Sequence, residues 1–281
     1  MSRVSGVRLR VATWNLWWRH GEPERRAPAI LAALRGLEAD VVALQEVWWQ
    51  AEGSLADELA AELGMNVALR PSRDPSSWTS RLPDAEAYGI GNAVLARGPL
   101  GEPTVGSLPA PSSEGAGRML LDVVVATAAG SCRVVTVHLT SSAVASALRC
   151  DQVRAIAAHL VAAPPTDLPP IVLGDFNAEP DSDEMRLLEG LLTAPAEPGL
   201  LLINTRRWAA DPDAPTWNPA NPHVAATGSP PVRIDHLLVG LGRGTVPVRV
   251  EHAAVFGDRP VDGVWPSDHA GVVVDLEAGG A

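Results

Sequence analysis

Polar residues with catalytic potential recur in this chain at the ends of short apolar runs. Asn15 closes Ala12-Thr13-Trp14, and Glu46 follows Val41-Val42-Ala43-Leu44-Gln45. Asn92 starts one strand-like run, and His138 lies near the end of another. Asp175 and Asn177 follow Ile171-Val172-Leu173-Gly174, Asp235 sits within Arg233-Ile234-Asp235-His236, and Asp268-His269 precede the last apolar run. Each has an ordinary structural explanation when taken alone, because strand-end Asp and Asn form turns and cap helices. Together they gather carboxylates, amides and imidazoles beside apolar chain, where like charges repel unless a cation or proton compensates them.

The donor types narrow the chemistry. Cys132 and Cys150 form no CxxC pair and no disulfide framework, so thiolate zinc and iron–sulfur sites are excluded. No HExxH run offers a histidine-rich zinc site. Carboxylate and amide oxygens suit Mg²⁺ or Mn²⁺, which take one or two protein carboxylates together with water and a substrate phosphate. There is no Walker loop, Gly89-Ile90-Gly91 lacks the rest of a dinucleotide fingerprint, and no GxSxG elbow marks a serine hydrolase.

The elements that must carry these residues alternate between two periods. Val7 to Asn15, Asp40 to Gln45, Ile90 to Ala96, Arg118 to Ala126, Arg133 to Thr140, Ile171 to Gly174, Val232 to Val239, Val246 to Val255 and Gly271 to Leu276 read as strands. An Ala-Ala-Gly-Ser turn joins the fourth and fifth of these. Arg25 to Leu37, Leu55 to Leu63 and Ser146 to Val161 read as helices, the last stopped by Pro164-Pro165. Strand follows strand in some places and helix separates strands in others. That mixture predicts an α/β fold, a four-layer sandwich of two packed mixed β-sheets flanked by helices, with residues 1–281 as one domain. Arg70 to Ala87 and Thr205 to Pro231 read as long loops of functional interest.

Composition bounds the possibilities. The 281 residues carry 22 Lys+Arg against 33 Asp+Glu, a net charge of −11, and every one of the 22 is arginine. The missing lysine fits codon bias in a GC-rich genome. At 46% hydrophobic the chain can bury a core, which excludes a disordered acidic tail, and its sign excludes a basic nucleic-acid coat protein. No apolar run approaches the roughly 20 residues of a membrane span, and no signal peptide is evident, so a cytoplasmic setting is expected.

Thr13-Trp14-Asn15-Leu16, Leu44-Gln45-Glu46-Val47, Gly91-Asn92-Ala93-Val94-Leu95, Thr136-Val137-His138-Leu139, Gly174-Asp175-Phe176-Asn177-Ala178-Glu179-Pro180, Arg233-Ile234-Asp235-His236 and Ser267-Asp268-His269 form an ordered set. The set resembles the endonuclease/exonuclease/phosphatase superfamily and extends from residue 13 to 269. The resemblance implies a two-sheet sandwich like that of deoxyribonuclease I, with its site at one rim. It implies that Glu46 holds Mg²⁺ or Mn²⁺, helped by Asn15 and through water by Asp268. By the same resemblance Asp175 positions or deprotonates the attacking water, and Asn177 orients Asp175 and the phosphate. His269, held by Asp235, and His138 would contact the phosphate oxygens. In-line attack by water then needs no covalent enzyme intermediate.

Motif details are most similar to the branch that cleaves 5′ phosphotyrosyl DNA ends. His138-Leu139-Thr140-Ser141 resembles its His-Leu-x-Ser element and places Ser141 near the phosphate, although the branch's Glu is Thr140 here. Thr216-Trp217 resembles its Thr-Trp element, whose tryptophan packs beside substrate, and Arg149-x-x-Gln152 follows at the expected place. Arg118 resembles a substrate-side arginine, and Asn92 falls among the substrate-binding positions. The expected partner is a phosphoester substrate, DNA ends or single strands among them, with no obligate protein partner evident. The alternative is a small metabolite or lipid head group. Nine tryptophans against one tyrosine and two phenylalanines, with Trp17-Trp18 and Trp48-Trp49 directly after Asn15 and Glu46, suggest either stacking surfaces or packing beneath loops. The −11 predicts weak, salt-sensitive binding to long duplexes.

Overall fold

The computed structural model describes residues 6–72, 87–110 and 117–279. In chain order the elements begin β1 (Val7–Asn15), α1 (Pro23–Leu37), β2 (Val41–Gln50), β3 (Gly53–Ser54), α2 (Leu55–Leu63), β4 (Asn66–Pro71), β5 (Gly89–Ala96) and β6 (Thr104–Ser107). They continue with β7 (Met119–Thr127), β8 (Gly130–His138), α3 (Ser146–Ala162), β9 (Ile171–Asp175), α4 (Asp183–Glu189) and β10 (Leu202–Asn204). A 3₁₀ turn at Thr205–Trp208, α5 (Pro222–Ala225), β11 (Asp235–Gly240), β12 (Val248–Phe256) and β13 (Gly271–Ala278) complete the chain.

Strand alternation builds the layers. One sheet has the order β12-β13-β1-β2-β5-β4, with β3 on β2, and the other has β10-β11-β9-β8-β7-β6. Leu9 and Val11 of β1 face Val134 of β8 and Ile171 and Leu173 of β9, so alternate positions of each strand make an apolar layer between the sheets. Ala12 and Trp14 turn the other way, onto Ile30 and Leu34 of α1 and Leu55 and Leu59 of α2. Val135, Val137 and Val172 likewise meet Val153, Ile156 and Leu160 of α3 and Met185 and Leu188 of α4. Each fully buried aliphatic side chain contributes about 1.5–3 kcal/mol of transfer free energy. The expected four-layer α/β sandwich is what forms.

One buried polar contact ties the sheets together beneath their rim. Gln45 Nε2 donates to Thr13 Oγ1 at 3.0 Å in its own sheet and to Thr136 Oγ1 of the other at 2.9 Å. All three residues are wholly buried, so these bonds cannot be replaced by water.

Several boundaries differ from the sequence reading for identifiable reasons. β2 does not stop at Gln45 but runs to Gln50, because its pairing with β5 absorbs a bulge between Leu44 and Val47. The β7–β8 hairpin pairs Thr127 with Gly130, so its turn is tighter than the four-residue one expected. The strand expected from Val232 begins at Asp235, where pairing with β9 starts. β4, β6 and β10 escaped the reading: the first is followed by residues outside the described set, and the other two are edge strands of only a few residues. In the first expected loop, Arg70 and Pro71 belong to β4, while 73–86 and Trp78 lie outside the described residues. The second expected loop carries the 3₁₀ turn and α5.

Candidate active site

Three neighbouring strands of the second sheet put Asp175 between two other functional groups. Parallel pairing sets His138 of β8 opposite Asp175 of β9, and antiparallel pairing sets Asp235 of β11 on its other side. Gly174, at φ 140°, makes the approach possible: a Cβ there would lie 2.0 Å from the Val137 carbonyl oxygen. Across the gap, β1 and β2 pair Asn15 with Gln45, leaving Glu46 at the rim. Glu46 sits in the β2 bulge at φ 54°, a backbone turn that redirects its carboxylate from the sheet surface into the cleft.

Asp175 Oδ2 is the meeting point. It accepts from Asn15 Nδ2 at 3.0 Å and lies 3.3 Å from His138 Nε2 and 3.9 Å from His269 Nε2. Asp175 Oδ1 accepts the Asn177 backbone N–H at 2.8 Å, and Asn177 Nδ2 donates to the Leu139 carbonyl at 3.1 Å. Glu46 Oε1 accepts from Asn15 Nδ2 at 3.3 Å and lies 3.8 Å from His138 Nε2. Asn15 Oδ1 meanwhile accepts the Trp17 backbone N–H at 2.9 Å, so its amide nitrogen is the face turned to the two carboxylates.

His269 is oriented through its other ring nitrogen, Nδ1, which contacts Asp235 Oδ2 at 2.8 Å. Its segment is locked to the first sheet: Ser267 Oγ donates to the Asn15 carbonyl at 2.7 Å and accepts the His269 N–H at 3.2 Å. Trp217 packs edge-on to His269 with ring centroids 4.8 Å apart. Neighbouring Thr216 Oγ1 accepts the Ile234 and Asp235 N–H groups, so the Thr-Trp element braces both members of the His–Asp pair.

Burial and mutual charge set the protonation equilibria. Burial first, and then Asp235, raise Asp175 to about 7 against the pull of His269 and the Asn177 and Asn15 hydrogen bonds. Burial raises Asp268 to about 7 as well; His269 opposes the rise and Glu46 adds to it. For His269 burial works against the imidazolium, but Asp235, Asp268 and Asp175 outweigh it and hold the ring well above its usual value.

Glu46, His138, Ser141, Asp175, Asn177, Trp217, Asp268 and His269 all line one cleft of about 710 Å³. Asn92 and Arg118 line a smaller adjoining pocket that shares Glu46 and His138 as its wall. Asn15 and Asp235 lie beneath the surface, where they orient others. Two contributors lay outside the sequence reading of the site. Arg26 of α1, 1% exposed, donates to the carbonyls of Leu16, Trp17, Trp18, His20 and Pro266, stitching the segment after Asn15 to the one before Asp268. Glu184 accepts from Arg149 Nε at 2.6 Å, while Arg149 Nη1 donates to the Thr140 and Ser142 carbonyls on either side of Ser141. Trp17 lines the cleft itself. The tryptophan was already a stacking candidate from its position directly after the Asn15 motif, whereas Arg26 and Glu184 carried no signal in the sequence.

Oxygen donors dominate the cleft floor, with two imidazoles and no thiolate, and the charge of the buried Glu46 adds to the raised proton affinity of Asp268. That set fits a hard divalent cation, which would restore the ionised carboxylates. Donor atoms of Asp175, Asp235 and His269 also lie within 4.8 Å of one another, but the His269 nitrogen facing Asp235 is already engaged in the hydrogen bond.

The pattern of the Endonuclease/Exonuclease/phosphatase family matches residues 12–269. The chain belongs to that family. Phosphoester hydrolysis is the chemistry the family performs. Among solved structures, a humanized D. rerio TDP2 superposes with a TM-score of 0.72 at 20% identity, covering 96% of this chain and 99% of that one. An endonuclease/exonuclease/phosphatase from Beutenbergia cavernae gives 0.68 at 26% identity, covering 97% of this chain and 72% of that one. The human Nocturnin catalytic domain gives 0.68 at 17% identity, covering 99% and 97%. The comparison with curated proteins gives no match. Among the described residues no helix is long and apolar enough to cross a membrane.

Proposed function

We propose that this family member is a divalent-metal-dependent phosphodiesterase acting on DNA ends, single strands or a nucleotide-like ester. The observation that carries the reading is the convergence on Asp175 Oδ2 of Asn15, His138 and His269, with Glu46 bound to Asn15 on the first sheet and 3.8 Å from His138 across the gap. Glu46, with Asp268, would hold Mg²⁺ or Mn²⁺, which when bound supplies Lewis-acid stabilisation of the phosphate. Asn15 takes part as the donor between Glu46 and Asp175, its oxygen being turned to Trp17. Asp175, its Oδ1 fixed by Asn177, accepts the proton of the attacking water. His269, charged and held by Asp235, donates to the non-bridging oxygens from one side, and His138 does so from the other. Ser141, Asn92, Arg118 and Trp217 border the phosphate and the groups it carries. A solved structure of D. rerio TDP2 is described as complexed with single strand DNA product, which supports nucleic acid among the substrates to try.

One observation favours a shorter substrate. Among the described residues lining the main cleft Arg149 is the lone arginine, and Glu184 engages it. A small metabolite or lipid-head-group diester asks for fewer cations than a long polyanion does. A single panel decides: single-stranded, duplex and 5′-blocked DNA, bis(p-nitrophenyl) phosphate, nucleotides, sphingomyelin and inositol phosphates, each with Mg²⁺, Mn²⁺ or chelator. Metal-dependent cleavage of DNA ends or nucleotide diesters is expected. Cleavage of lipid alone selects the second reading, and no cleavage under any condition overturns both.

A further inference from the structure

Trp17 stands where a strand end should relax into loop, yet it holds a left-handed backbone at φ 57°, followed by Trp18 at φ 36°. Two successive bulky residues in that region cost energy, and such strain persists only where surrounding contacts enforce it. The contacts here are specific. Arg26 binds both residues' carbonyls, and the Trp17 N–H is held by Asn15 Oδ1. Trp18 turns inward, fully buried, with its indole N–H on the Gly89 carbonyl at 3.0 Å. Trp17 turns the other way, half-buried, into the cleft that Glu46 and Asp268 also line.

Its ring is walled from behind. His223 of α5 lies 4.4 Å away between centroids, the Arg26 guanidinium lies 5.1 Å from the ring, and Gly21 approaches so closely that a Cβ there would stand 2.9 Å from it. Gly21 itself sits at φ 64°, which suits glycine. A tryptophan packed merely to fill space would be covered on its remaining surface; this one lines the cleft. Two tryptophans therefore border the reacting centre: Trp217 against His269, and Trp17 on the wall formed by the segment after Asn15.

We propose that Trp17 is a stacking subsite for a planar aromatic group on the substrate, distinct from the Trp217 position. The inference rests on the reading that the cleft takes a phosphoester, and it deepens that reading by naming a group the ester carries. A nucleobase and a tyrosyl-type phenyl ring share the relevant chemistry, a flat π-face that stacks on indole. Because the Trp17 N–H also fixes Asn15, the subsite and the carboxylate centre belong to one rigid segment.

The test is calorimetric binding in Mg²⁺ of three phosphates: thymidine 5′-monophosphate, phenyl phosphate, and 2-deoxyribose 5-phosphate, which lacks a ring. Wild-type protein is expected to bind at least one ring-bearing phosphate about tenfold or more tightly than the sugar phosphate. Trp17→Asn keeps a residue that tolerates the left-handed backbone, and hence the turn, while removing the indole. It should lose that preference without weakening the sugar phosphate, Trp17→Phe should restore most of it, and Trp208→Ala on the exposed 3₁₀ turn should leave it intact. A nucleobase subsite shows preference for the nucleotide alone, and a phenyl subsite for phenyl phosphate alone. Equal binding of all three by wild type, or a preference that survives in Trp17→Asn, overturns the subsite and leaves the phosphoester reading standing. Binding of none of the three overturns both.

Discussion

Two buried arginines hold the two sides of the cleft, and they do so by opposite electrostatic means. Arg26 supports the first sheet's rim, where Asn15, Glu46 and Asp268 lie, by donating to five backbone carbonyls. Among the described residues no carboxylate lies within ion-pair distance of it, and burial pulls its guanidinium down to about 10 even though Asp268 and Glu46 favour its charge. Arg149 supports the second sheet's rim, beside Ser141 and Asn177, and is neutralised by Glu184, which also accepts from Ser146 Oγ at 2.7 Å. One side thus keeps a net buried cation beneath its acids, and the other keeps a closed pair. The difference follows from what each rim must carry: a cluster of carboxylates benefits from a nearby positive charge, whereas the loop around Ser141 needs only a fixed shape.

The largest effects separate the chemistry of the rims from their support. Glu46→Ala and Asp175→Ala should each lower metal-dependent phosphodiester hydrolysis by about a thousandfold or more, with thermal melts close to wild type. Activity retained in either variant would remove that residue from the reaction. Next come the supports. Arg149→Met should cost about 3–5 kcal/mol in denaturant unfolding, because it strands Glu184, and Arg149→Met/Glu184→Gln should recover part of that loss. Arg26→Met should cost about 3 kcal/mol or more through unsatisfied carbonyls, and Arg26→Met/Asp268→Asn should recover little of it. If the second double variant recovers as well as the first, the contrast between the two arginines fails.

A smaller effect depends on pH and belongs to the second sheet alone. His236 is buried with Nδ1 3.2 Å from Asn204 Nδ2 and Nε2 2.9 Å from the Ala178 carbonyl, and burial lowers it to about 4. The unfolded chain takes up this proton below about 6.5 while the folded chain refuses it until about 4. Folding stability therefore falls as pH drops through that window, by about 3 kcal/mol from this group, and levels off below it. Urea midpoints at pH 7 and pH 4.5 in wild type and His236→Gln measure the difference, and an equal drop in both would remove His236 as its source. The smallest change is expected at Trp217→Ala: a rise in KM of about tenfold with little loss of stability, whereas an unchanged KM would make the ring purely structural.

How much of this was readable in advance varied residue by residue. Gly174-Asp175-Phe176-Asn177 announces its geometry locally: glycine for the close approach to Val137, then an Asn at φ 49°, which that side chain tolerates. The period-2 alternation of β1, β8 and β9 likewise fixed which side chains face between the sheets, and so the sandwich itself. Glu46 was visible as a strand-end carboxylate, but the bulge that aims it depends on the register with β5, a pairing that no local pattern encodes.

Arg25 and Arg26 mark the limit most clearly. Adjacent and chemically identical, they read alike in the sequence, yet the Arg25 side chain is 59% exposed in an ion pair with Glu22, while Arg26 is sealed among carbonyls, one of them 240 residues further along the chain. Trp17 and Trp18 repeat the lesson, one facing the cleft and the other the core. By itself the sequence determined the layers, the order of the motifs and the chemical types of the donors, because those depend on short-range periodicity and residue identity. Tertiary structure alone decided which arginine became a buried staple, which tryptophan met the cleft, and that Asn15 would offer its nitrogen to the carboxylates. Those outcomes depend on distant carbonyls and strand registers that meet only when the two sheets close on each other.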